Sequence, residues 1–517
     1  MERVITGKEA KYIDEITINE IGIPSLVLME RAALGVFSEI KNNYYNYIVV
    51  CGSGNNGADG IALARMLRQN DENVIVLLVS KSEGTAEYRL QLEIAQKLGV
   101  EIIDFANEEN LDEEYLNELF SSADCIVDAI LGIGLDRQVS GLYFDIIGMI
   151  NEMDCDVCAI DIPSGVCADN GKILGTCINA DITVTFGEYK IGQIAYPGKK
   201  YVGELIKKDI GFLDTGEVFS YLEDDDEIEV RDNYILTNRD LEYVPDRIER
   251  SNKGTYGKLL VIAGSKDMSG AAYFSGMAAY RLGVGLVNIV STNNNIDILK
   301  DKLPEAVFTG YDNLRDESDY AKVADAIEKY DNIVIGPGLS TDDNSKILLE
   351  MVLESGKNVV IDADAINVLA SDDKYFDMLH DRCILTPHMG EMSRLTGREI
   401  SEISESPYEV ACGFRDTYNV NLILKDANTI IASVDGCNYI NVSGNDGMST
   451  AGSGDVLTGI VGGLMCMGCN FDIIPALGVF IHGLAGDFAK DKIGSASLMA
   501  RDILDNISEV MMMKDNI

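Results

Sequence analysis

Short apolar runs alternate with longer amphipathic segments along the first half of the chain. The runs are rich in β-branched residues, whereas the segments between them, such as residues 86–98, carry apolar residues at helical spacing. Strands separated by helices are typical of βαβ units, and of a parallel sheet covered on both faces. We predict strands at residues 47–51, 74–80, 125–130, 157–162 and 182–186, after a long helical region at residues 8–40.

The same alternation restarts in the second half, after a strongly acidic segment. Residues 220–229 concentrate charge of one sign with little to bury, which is typical of a linker. We therefore predict a domain at residues 1–215, an acidic linker at 216–232 and a second α/β domain at 233–517. Its predicted strands are residues 258–263, 286–290, 333–335, 359–361, 384–386 and 422–425, and its helices begin near Ala271, Ser345, Glu391 and Asp455.

Composition agrees with two globular domains and limits the partners. A chain of 517 residues with 46% hydrophobic residues exceeds one ordinary core. Its 85 acidic against 42 basic residues give a charge of -43, which repels nucleic acid and anionic membranes. Its first residues lack an apolar signal core, and the apolar segments 456–469 and 473–486 are shorter than the ~20 residues of a membrane span. We expect a cytoplasmic protein in which these two segments are buried helices.

The eleven cysteines are scattered, which suits a reducing compartment. Two pairs have the spacing of a zinc or redox site, Cys155 with Cys158 and Cys466 with Cys469. The pairs lie in different halves of the chain, one entering a strand and one ending a helix. Buried structural thiols are the favoured interpretation.

Polar residues follow several predicted strands of the first half. The glycine-rich turn at residues 52–60 opens a helix and carries Asn55, Asn56 and Asp59, while Asp128 and Asp161 end later strands. Backbone N–H groups in such turns approach phosphates, and ligands of open α/β sheets bind at this edge. Each residue could instead cap a helix or a turn. Convergence of three loops favours a binding site.

These motifs together resemble the NAD(P)H-hydrate epimerase domain. The similarity includes Leu-Met-Glu-Arg-Ala-Ala at 28–33, Asn-Asn-Gly-Ala-Asp-Gly at 55–60, Asp-Ala-Ile-Leu-Gly-Ile-Gly at 128–134 and Asp-Ile-Pro-Ser-Gly at 161–165. It covers nearly all of residues 1–215, and it implies a Rossmann-like, doubly wound sheet with a potassium ion beside the substrate. The implied potassium ligands are Asn56, Asp128 and Ser164. The implied substrate contacts are Asn55, Asn56, Gly57, Ala58, Asp59, Gly132, Ile133, Gly134, Leu135, Asp136, Arg137, Gln138 and Asp161.

Asp161 is the candidate acid/base of this domain. The hydrate carries a hydroxyl beside the ring nitrogen, whose lone pair expels it once an acid protonates the oxygen; water returning on the other face inverts the carbon. Capping of the following turn is the structural alternative for Asp161. Ala58 stands where the family usually has glycine, and we expect its methyl group to crowd the ligand slightly.

The second half carries a helix start suited to phosphoryl transfer. Gly452-Ser-Gly-Asp455 offers stacked N–H donors for an anion, with a carboxylate beside them as a base. This motif resembles the anion hole of ribokinase-like sugar and vitamin kinases. An N-cap role for Ser453 or Asp455 is compatible with it.

Further loops extend this resemblance to the NAD(P)H-hydrate dehydratase domain, over about residues 230–510. They are Gly-Pro-Gly-Leu at 336–339, Pro-His-Met-Gly-Glu at 387–391 and the segment Lys425–Thr429, with Met389 and Asp426 departing from the family's usual proline and glycine. The resemblance implies a ribokinase-like α/β domain with Asp455 as catalytic base. The implied hydrate contacts are Ala271, Gly338, His388 and Asp455, and the implied nucleotide contacts are Lys425, Asp426, Ala427, Asn428, Thr429 and Gly454.

Both resemblances imply one pathway, the repair of hydrated NADH and NADPH. In it, ADP phosphorylates the hydrate hydroxyl with the help of Mg²⁺, and phosphate then leaves; ATP is the alternative co-substrate. The expected partners are these small molecules, and a homo-oligomer is left open. Two other hypotheses remain at this point. One is a vitamin-precursor kinase, which leaves the first domain unexplained; the other makes the first domain a non-catalytic binding module.

Overall fold

The computed structural model describes residues 1–107, 112–221 and 230–517, and the chain divides into two compact units. The N-terminal unit is Arg3–Arg231, and the C-terminal unit is Asp232–Ile517 together with Met1–Glu2. Each is an α/β unit with a mainly parallel sheet. The predicted fold class is therefore confirmed. Most of the acidic segment, residues 222–229, lies outside the described residues.

The N-terminal unit is built on a parallel sheet. Up to residue 231 the strands are β1 (Glu2–Ile5), β2 (Asn46–Cys51), β3 (Asn73–Leu78), β4 (Glu101–Asp104), β5 (Cys125–Ala129), β6 (Asp156–Ile160), β7 (Ile182–Phe186), β8 (Tyr189–Lys190) and β9 (Glu204–Lys208). The helices are α1 (Gly7–Asn19), α2 (Ser25–Ile40), α3 (Asn55–Gln69), α4 (Ala86–Lys97), α5 (Glu113–Ser121), α6 (Leu142–Asn151), α7 (Ile191–Ile194) and α8 (Thr215–Phe219). The strand order is β4-β3-β2-β5-β6-β7-β9, with every neighbouring pair parallel.

Helices cover both faces of this sheet because its strands are apolar on both sides. Val49 of β2 joins a buried cluster with residues of α2 and α3, whereas its neighbours Ile48 and Val50 join a second cluster with α5 and α6. Side chains alternate across a strand, so a continuous apolar run needs cover on two faces. The carboxyl ends of the central strands remain uncovered by these helices and are available to a ligand.

The C-terminal unit has a longer sheet of mixed direction. Its strands are β10 (Asn233–Ile235), β11 (Lys258–Ile262), β12 (Leu286–Thr292), β13 (Val307–Tyr311), β14 (Asn332–Ile335), β15 (Asn358–Ile361), β16 (Cys383–Leu385), β17 (Asn421–Leu424), β18 (Ile430–Ala432) and β19 (Asn438–Ile440). The order β13-β12-β11-β14-β15-β16-β17 is parallel throughout. Strands β18 and β19 then continue antiparallel, and β10 pairs parallel with β19.

Helices complete the C-terminal unit around a large apolar core. They are α9 (Ser269–Leu282), α10 (Asn293–Lys302), α11 (Glu317–Lys329), α12 (Asp343–Glu354), α13 (Ala363–Leu369), α14 (Met389–Thr396), α15 (Ile400–Glu405), α16 (Pro407–Tyr418), α17 (Ser453–Cys466), α18 (Ile474–Ile493) and α19 (Ala500–Lys514). Helix α17 packs closely on α9, because small residues face each other at the contact. A Cβ added at Gly459 would lie 2.3 Å from the carbonyl oxygen of Ser275.

The two most apolar segments are helices, as predicted, and they lie in this core. Helix α17 is buried along nearly its whole length. Among the described residues, one helical stretch, Phe471–Ile493, is long and apolar enough to cross a bilayer, and 72% of its most apolar window is buried within the protein. Its apolar residues are therefore accounted for by packing. Of the paired cysteines, Cys158 and Cys466 are buried, whereas Cys155 and Cys469 are half-buried.

The structure differs from the sequence prediction at both ends of the N-terminal unit. The helical region predicted at 8–40 is two helices, because Gly22 adopts a φ of +83° and Pro24 precedes α2. The predicted linker at 216–232 begins inside α8. Val218 of α8 is fully buried against Ala10 and Ile13 of α1, so compact structure continues beyond residue 215.

Candidate functional site

The glycine-rich turn of the N-terminal unit brings β2 and α3 into close backbone contact. A Cβ added at Gly57 would lie 1.9 Å from the carbonyl oxygen of Gly52, and one added at Gly52 would lie 2.0 Å from that of Ile130. Only glycine fits at such distances. The turn therefore places Asn55 and Asn56 at the start of α3, beside the end of β5.

A cavity of about 1020 Å³ opens at this edge of the sheet. Most of the predicted substrate contacts line it: Asn55, Asn56, Asp59, Gly132, Ile133, Gly134, Leu135, Asp136, Arg137 and Asp161. Helices α1 and α2 supply an apolar wall that includes Ile13, Leu28 and Met29. One polar and one apolar wall suit a ligand with a flat ring and several hydrogen-bonding groups.

Three predicted contacts lie away from the lining that the described residues form. Gly57 and Ala58 are buried in α3, and the Ala58 methyl group belongs to the apolar core. Gln138 is exposed beyond the cavity. The expectation that Ala58 crowds the ligand is therefore wrong, because its side chain points into the core of the unit.

Asp161 is held in place by a dense set of hydrogen bonds at the end of β6. Its Oδ1 accepts from Lys190 Nζ at 2.6 Å, from Thr185 Oγ1 at 3.1 Å and from the Phe186 amide at 3.3 Å. Gln193 Nε2 donates to its carbonyl oxygen at 2.5 Å, and its φ is +64°. A non-glycine residue keeps this left-handed backbone only where its surroundings enforce it, and such residues concentrate at functional sites.

Sequence reasoning missed several charged residues of this cavity, among them Lys190 and Asp14. Lys190 follows the end of β7 by four residues, so the strand-end rule that identified Asp128 and Asp161 would have found it. Asp14 lies on α1, where an acidic residue in an amphipathic helix is ordinarily a solvated one. The sequence gives no signal that this helix forms a cavity wall.

The acidic side chains of the cavity raise one another's pKa values. Burial raises the pKa of Asp59 well above its usual value, and the charges of Asp161 and Asp14 add to that effect. Burial likewise raises the pKa of Asp14 to about 6, with further increases from Glu15, Asp161 and Glu87. Asp14, with its pKa of about 6, can exchange protons near neutrality.

The three predicted potassium ligands lie together beside this cavity. Asp128 is fully buried; its two oxygens accept from Ser164, one from the hydroxyl at 2.6 Å and one from the amide at 2.7 Å. Asn56 Nδ2 donates to the Leu131 carbonyl oxygen at 3.0 Å, and Ser164 Oγ lies 3.1 Å from that oxygen. Burial raises the pKa of Asp128 to about 6. In the described part of the chain no basic side chain pairs with Asp128, so these oxygen donors suit a hard cation.

The C-terminal unit gathers its predicted residues around the start of α17. Gly452 adopts a φ of +91° as the N-cap, and Asp455 is the third residue of the helix. A Cβ added at Gly454 would lie 3.5 Å from Lys425 Nζ, which places this ammonium group at the helix N-terminus. Free N–H groups and a cation at one point form an anion site.

A buried carboxylate, Asp362, organises this site, and sequence reasoning did not identify it. It accepts from Lys425 Nζ at 2.8 Å and from the hydroxyls of Thr386 and Thr458, each at 2.7 Å. Burial alone would raise its pKa, but Lys425 and the hydroxyl groups more than offset that, so the pKa of Asp362 lies below its usual value. The sequence feature that could have identified Asp362 is its position directly after β15, within Ile361-Asp-Ala-Asp-Ala365.

The environment of Asp455 raises the pKa of this carboxyl group, whereas that of Asp362 lowers it. Burial and the nearby charge of Asp362 raise its pKa to about 7, although Lys425 lowers it in part. A carboxylate with this pKa accepts a proton from a hydroxyl more readily than an ordinary one. The position of Asp455, beside the N–H groups of the helix start, matches the predicted geometry for phosphoryl transfer.

The remaining predicted residues of this unit fall into three groups. Ala271 and Gly338 are neighbours, since a Cβ added at Gly338 would lie 3.0 Å from that of Ala271. His388 caps α14, with Nδ1 accepting from the amide of Gly390 at 2.9 Å, and its side chain is 55% exposed. The segment from Lys425 to Thr429 forms the turn between β17 and β18, and contains Asp426, Ala427 and Asn428.

Comparison with known proteins assigns a family to each half. Residues 25–192 match the profile of the family described as YjeF-related protein N-terminus, and residues 259–509 match the NAD(P)H-hydrate dehydratase profile. A solved structure, the ADP/ATP-dependent NAD(P)H-hydrate dehydratase from Bacillus subtilis co-crystallised with ATP/Mg²⁺, is 30% identical. It covers 54% of this chain and 97% of that chain, with a TM-score of 0.47.

Several relatives match nearly the full length of this chain, and they share one name. The bifunctional NAD(P)H-hydrate repair enzyme Nnr of Moorella thermoacetica is 35% identical, over 98% of this chain and 96% of the relative. The enzyme of Thermofilum pendens is 32% identical, over 98% of this chain and 96% of the relative. The enzyme of Escherichia coli is 30% identical, over 97% of this chain and 93% of the relative. The resemblance inferred from the motifs is confirmed. The chain belongs to the family of bifunctional NAD(P)H-hydrate repair enzymes.

Proposed function

We propose that this protein repairs hydrated NADH and NADPH in two reactions, one in each unit. The N-terminal unit interconverts the R and S hydrates, and the C-terminal unit dehydrates the S hydrate. The observation that carries this proposal is similarity to bifunctional repair enzymes over 98% of the chain, with a separate polar site in each unit. A vitamin-precursor kinase would account for the site at α17 but not for the N-terminal cavity.

In the dehydratase reaction, Asp455 accepts the proton of the hydrate hydroxyl while that oxygen attacks the terminal phosphoryl group of ADP. The N–H groups at the start of α17 and the Lys425 ammonium group stabilise the negative charge that develops there. Phosphate is then a good leaving group: the ring nitrogen expels it to give an iminium ion, and loss of a proton from the neighbouring ring carbon regenerates the dihydropyridine ring. The products are NAD(P)H, AMP and phosphate. A bound Mg²⁺ ion would supply further positive charge for the phosphates.

The implied nucleotide contacts follow the same arrangement. Lys425 and Gly454 lie together at the helix start, and Thr429 and Asn428 belong to the turn that leads away from Lys425. We assign ADP as the co-substrate, with ATP as the alternative that the assay compares. Asp426 adds a negative charge to this turn, and we expect it to face away from the phosphates.

In the epimerase reaction, Asp161 is the acid/base residue at the carbon that loses and regains its hydroxyl group. Asn56, Asp128 and Ser164 would hold a potassium ion, which supplies positive charge to an otherwise acidic cavity. Replacing potassium by tetramethylammonium in the buffer should lower the epimerisation rate and leave binding of ADP unchanged. An epimerisation rate that is indifferent to this exchange would argue against the potassium site.

The decisive test uses the separated R and S hydrates of NADH. Wild-type protein should interconvert them without nucleotide, and should restore the absorbance of NADH only when ADP or ATP is added. The Asp161→Asn and Asp455→Asn variants should each lose one reaction and keep the other. Phosphorylation of a vitamin precursor, with both hydrates left untouched, would overturn the proposal.

The scattered cysteines lead us to place this reaction in the cytoplasm.

A further inference from the structure

The two oxygens of Asp161 have different environments. Oδ1 accepts three hydrogen bonds, from Lys190 Nζ, Thr185 Oγ1 and the Phe186 amide, at 2.6 to 3.3 Å. Within the described part of the chain no hydrogen bond is made to Oδ2, and Asp161 lines the cavity. The geometry therefore leaves one oxygen of this carboxylate for chemistry and uses the other to hold it in place.

Lys190 has no N–H group left for a substrate. An ammonium group has three donors. Those of Lys190 go to Asp161 Oδ1, to Thr185 Oγ1 at 2.9 Å and to the Phe186 carbonyl oxygen at 2.9 Å. Its side chain is only 2% exposed. A charge buried so completely is stable only with its partner, so Lys190 acts on the reaction through Asp161.

The backbone around Lys190 is fixed as well. Its amide donates to Gln193 Oε1 at 2.8 Å, and Gln193 Nε2 donates in turn to the carbonyl oxygen of Asp161 and to Thr185 Oγ1. Strand β8 pairs in parallel with β1, which places Lys190 opposite Ile5. Both charged partners are thus attached to rigid elements, a condition for accurate positioning of a reactive group.

We propose that Lys190 is the positioning residue of the epimerase site: it fixes Asp161 through Oδ1, so that Oδ2 serves as the base. This proposal rests on the epimerase function proposed above. Its consequence is that, in the direction of reaction in which Asp161 is the base, Asp161 does not supply the proton for the departing hydroxyl. A second group in the same cavity must do so.

Asp59 is that second group. It lines the same cavity from α3, and no described residue forms a hydrogen bond or an ion pair with its side chain. Burial and the neighbouring acidic charges raise its pKa, which favours the protonated form that a donor needs. Asp59 protonates the hydroxyl, the C–O bond breaks, and the nitrogen lone pair forms a C=N bond as water departs. Water then adds to the other face and gives its proton to Asp161 Oδ2. Asp161 releases this proton to solvent and Asp59 regains one, and in the reverse reaction the two groups exchange roles.

The experiment starts with wild-type protein and purified R hydrate. Absence of interconversion would refute the proposed function itself, and the Lys190 inference with it. With an active wild type, Lys190→Met should lower kcat by about 100-fold or more, the usual size of a general-base contribution, and leave KM nearly unchanged. Lys208→Met is the matched control, because Lys208 pairs with Glu39 away from the cavity lining. A folded Lys190→Met protein with normal kcat overturns the inference.

Two further variants keep the test decisive if Lys190→Met does not fold. The double variant Asp161→Asn/Lys190→Met removes both buried charges together, so that no unpaired charge remains inside the protein. Its epimerisation rate should equal that of Asp161→Asn alone, whereas a lower rate would give Lys190 a role of its own and overturn the proposal. Lys190→Ala should regain activity with methylammonium in a saturable manner. Failure of that rescue in a folded variant counts against a requirement for the cation.

The donor is tested separately. Asp59→Asn keeps the shape of the side chain but cannot supply the proton, so kcat should fall by about 100-fold while melting temperature and KM stay near those of wild type. A fully active Asp59→Asn protein would overturn the assignment of the donor.

Discussion

Four carboxylates in the two sites illustrate how position decides the role of a residue. Asp161 and Asp362 each accept from a lysine ammonium group and from at least one threonine hydroxyl, whereas no described basic residue pairs with Asp59 or Asp455. The paired carboxylates are held rigidly. Those without such a partner have raised pKa values and are the natural groups for proton transfer.

Removal of the Asp455 charge should separate the two reactions. In Asp455→Asn the side chain keeps its shape, so the helix start and nucleotide binding should persist while the base is lost. We expect the dehydration rate to fall by about 100- to 10,000-fold, with epimerisation unchanged. Both activities are measured on one purified sample, with calorimetric binding of ADP as the folding control. Near-normal dehydration would exclude Asp455 as the base.

The raised pKa of Asp455 also predicts the pH dependence of dehydration. A base works in its deprotonated form, and the pKa of this group is raised to about 7 by burial and by Asp362. The fraction of active carboxylate, and with it kcat, should therefore rise with pH and level off above about pH 8, one unit past the pKa. Rates measured across this range should show the inflection. A flat profile in wild type would contradict the assignment.

At the scale of elements, the turn between β2 and α3 shows why substitutions at two neighbouring positions should destabilise the protein to different degrees. Gly57→Ala adds a methyl group 1.9 Å from a backbone oxygen that cannot move away, so the N-terminal unit should be destabilised by several kcal/mol. Ala58→Gly removes a buried methyl group from a helix, at a cost of about 1–2 kcal/mol.

The two variants are compared by thermal inactivation of epimerisation, with dehydration in the same chain as an internal reference. Gly57→Ala should lose epimerisation at a much lower temperature than Ala58→Gly. Equal behaviour of the two variants would show that the turn relaxes around the added group.

The central elements were predictable from the sequence, and the peripheral ones were not. Strands β2, β5 and β7 lie within one residue of the predicted bounds, because both of their faces are buried and their apolar runs are continuous. Strands β4 and β9 lie at the two edges of the sheet and were missed. Edge strands are short and carry charged residues, so their pattern resembles that of a loop.

The same contrast holds for the candidate sites. Asp128 and Asp161, at the ends of neighbouring strands, were predicted, because topology alone brings strand ends together. Lys190 and Asp362 also lie near strand ends, but they were not predicted, since their roles depend on one particular partner. Helix α1 gave no indication that Asp14 would face a ligand cavity, because the fold of the whole unit decides which helix forms the wall.

For the whole molecule, we propose the separation of the chain into an epimerase domain and a dehydratase domain, with the first ending beyond residue 215. Val218 is buried in a cluster with Ala10 and Ile13, and the Arg231 amide donates to Glu9 at 3.2 Å. A fragment of residues 1–231 should be soluble and active as an epimerase. One of residues 1–215 should melt at a lower temperature, because it lacks the buried Val218 side chain.

Circular dichroism and epimerisation assays compare the two fragments. Insoluble 1–231 protein would show that the N-terminal unit needs the rest of the chain to fold. Equal stability of the two fragments would mean that α8 contributes nothing to the core, in conflict with its burial.

The contact between α1 and α8 has a consequence for synthesis of the protein. The first helix of the N-terminal unit packs against a helix made some two hundred residues later, and the cavity is lined by both ends, Ile5 and Ile13 on one side and Leu213 and Thr215 on the other. On the ribosome, the central sheet can form while α1 still lacks its partner. The substrate site is therefore completed last, when α8 leaves the exit tunnel, and an incomplete nascent chain has no closed cavity in which to bind a dinucleotide.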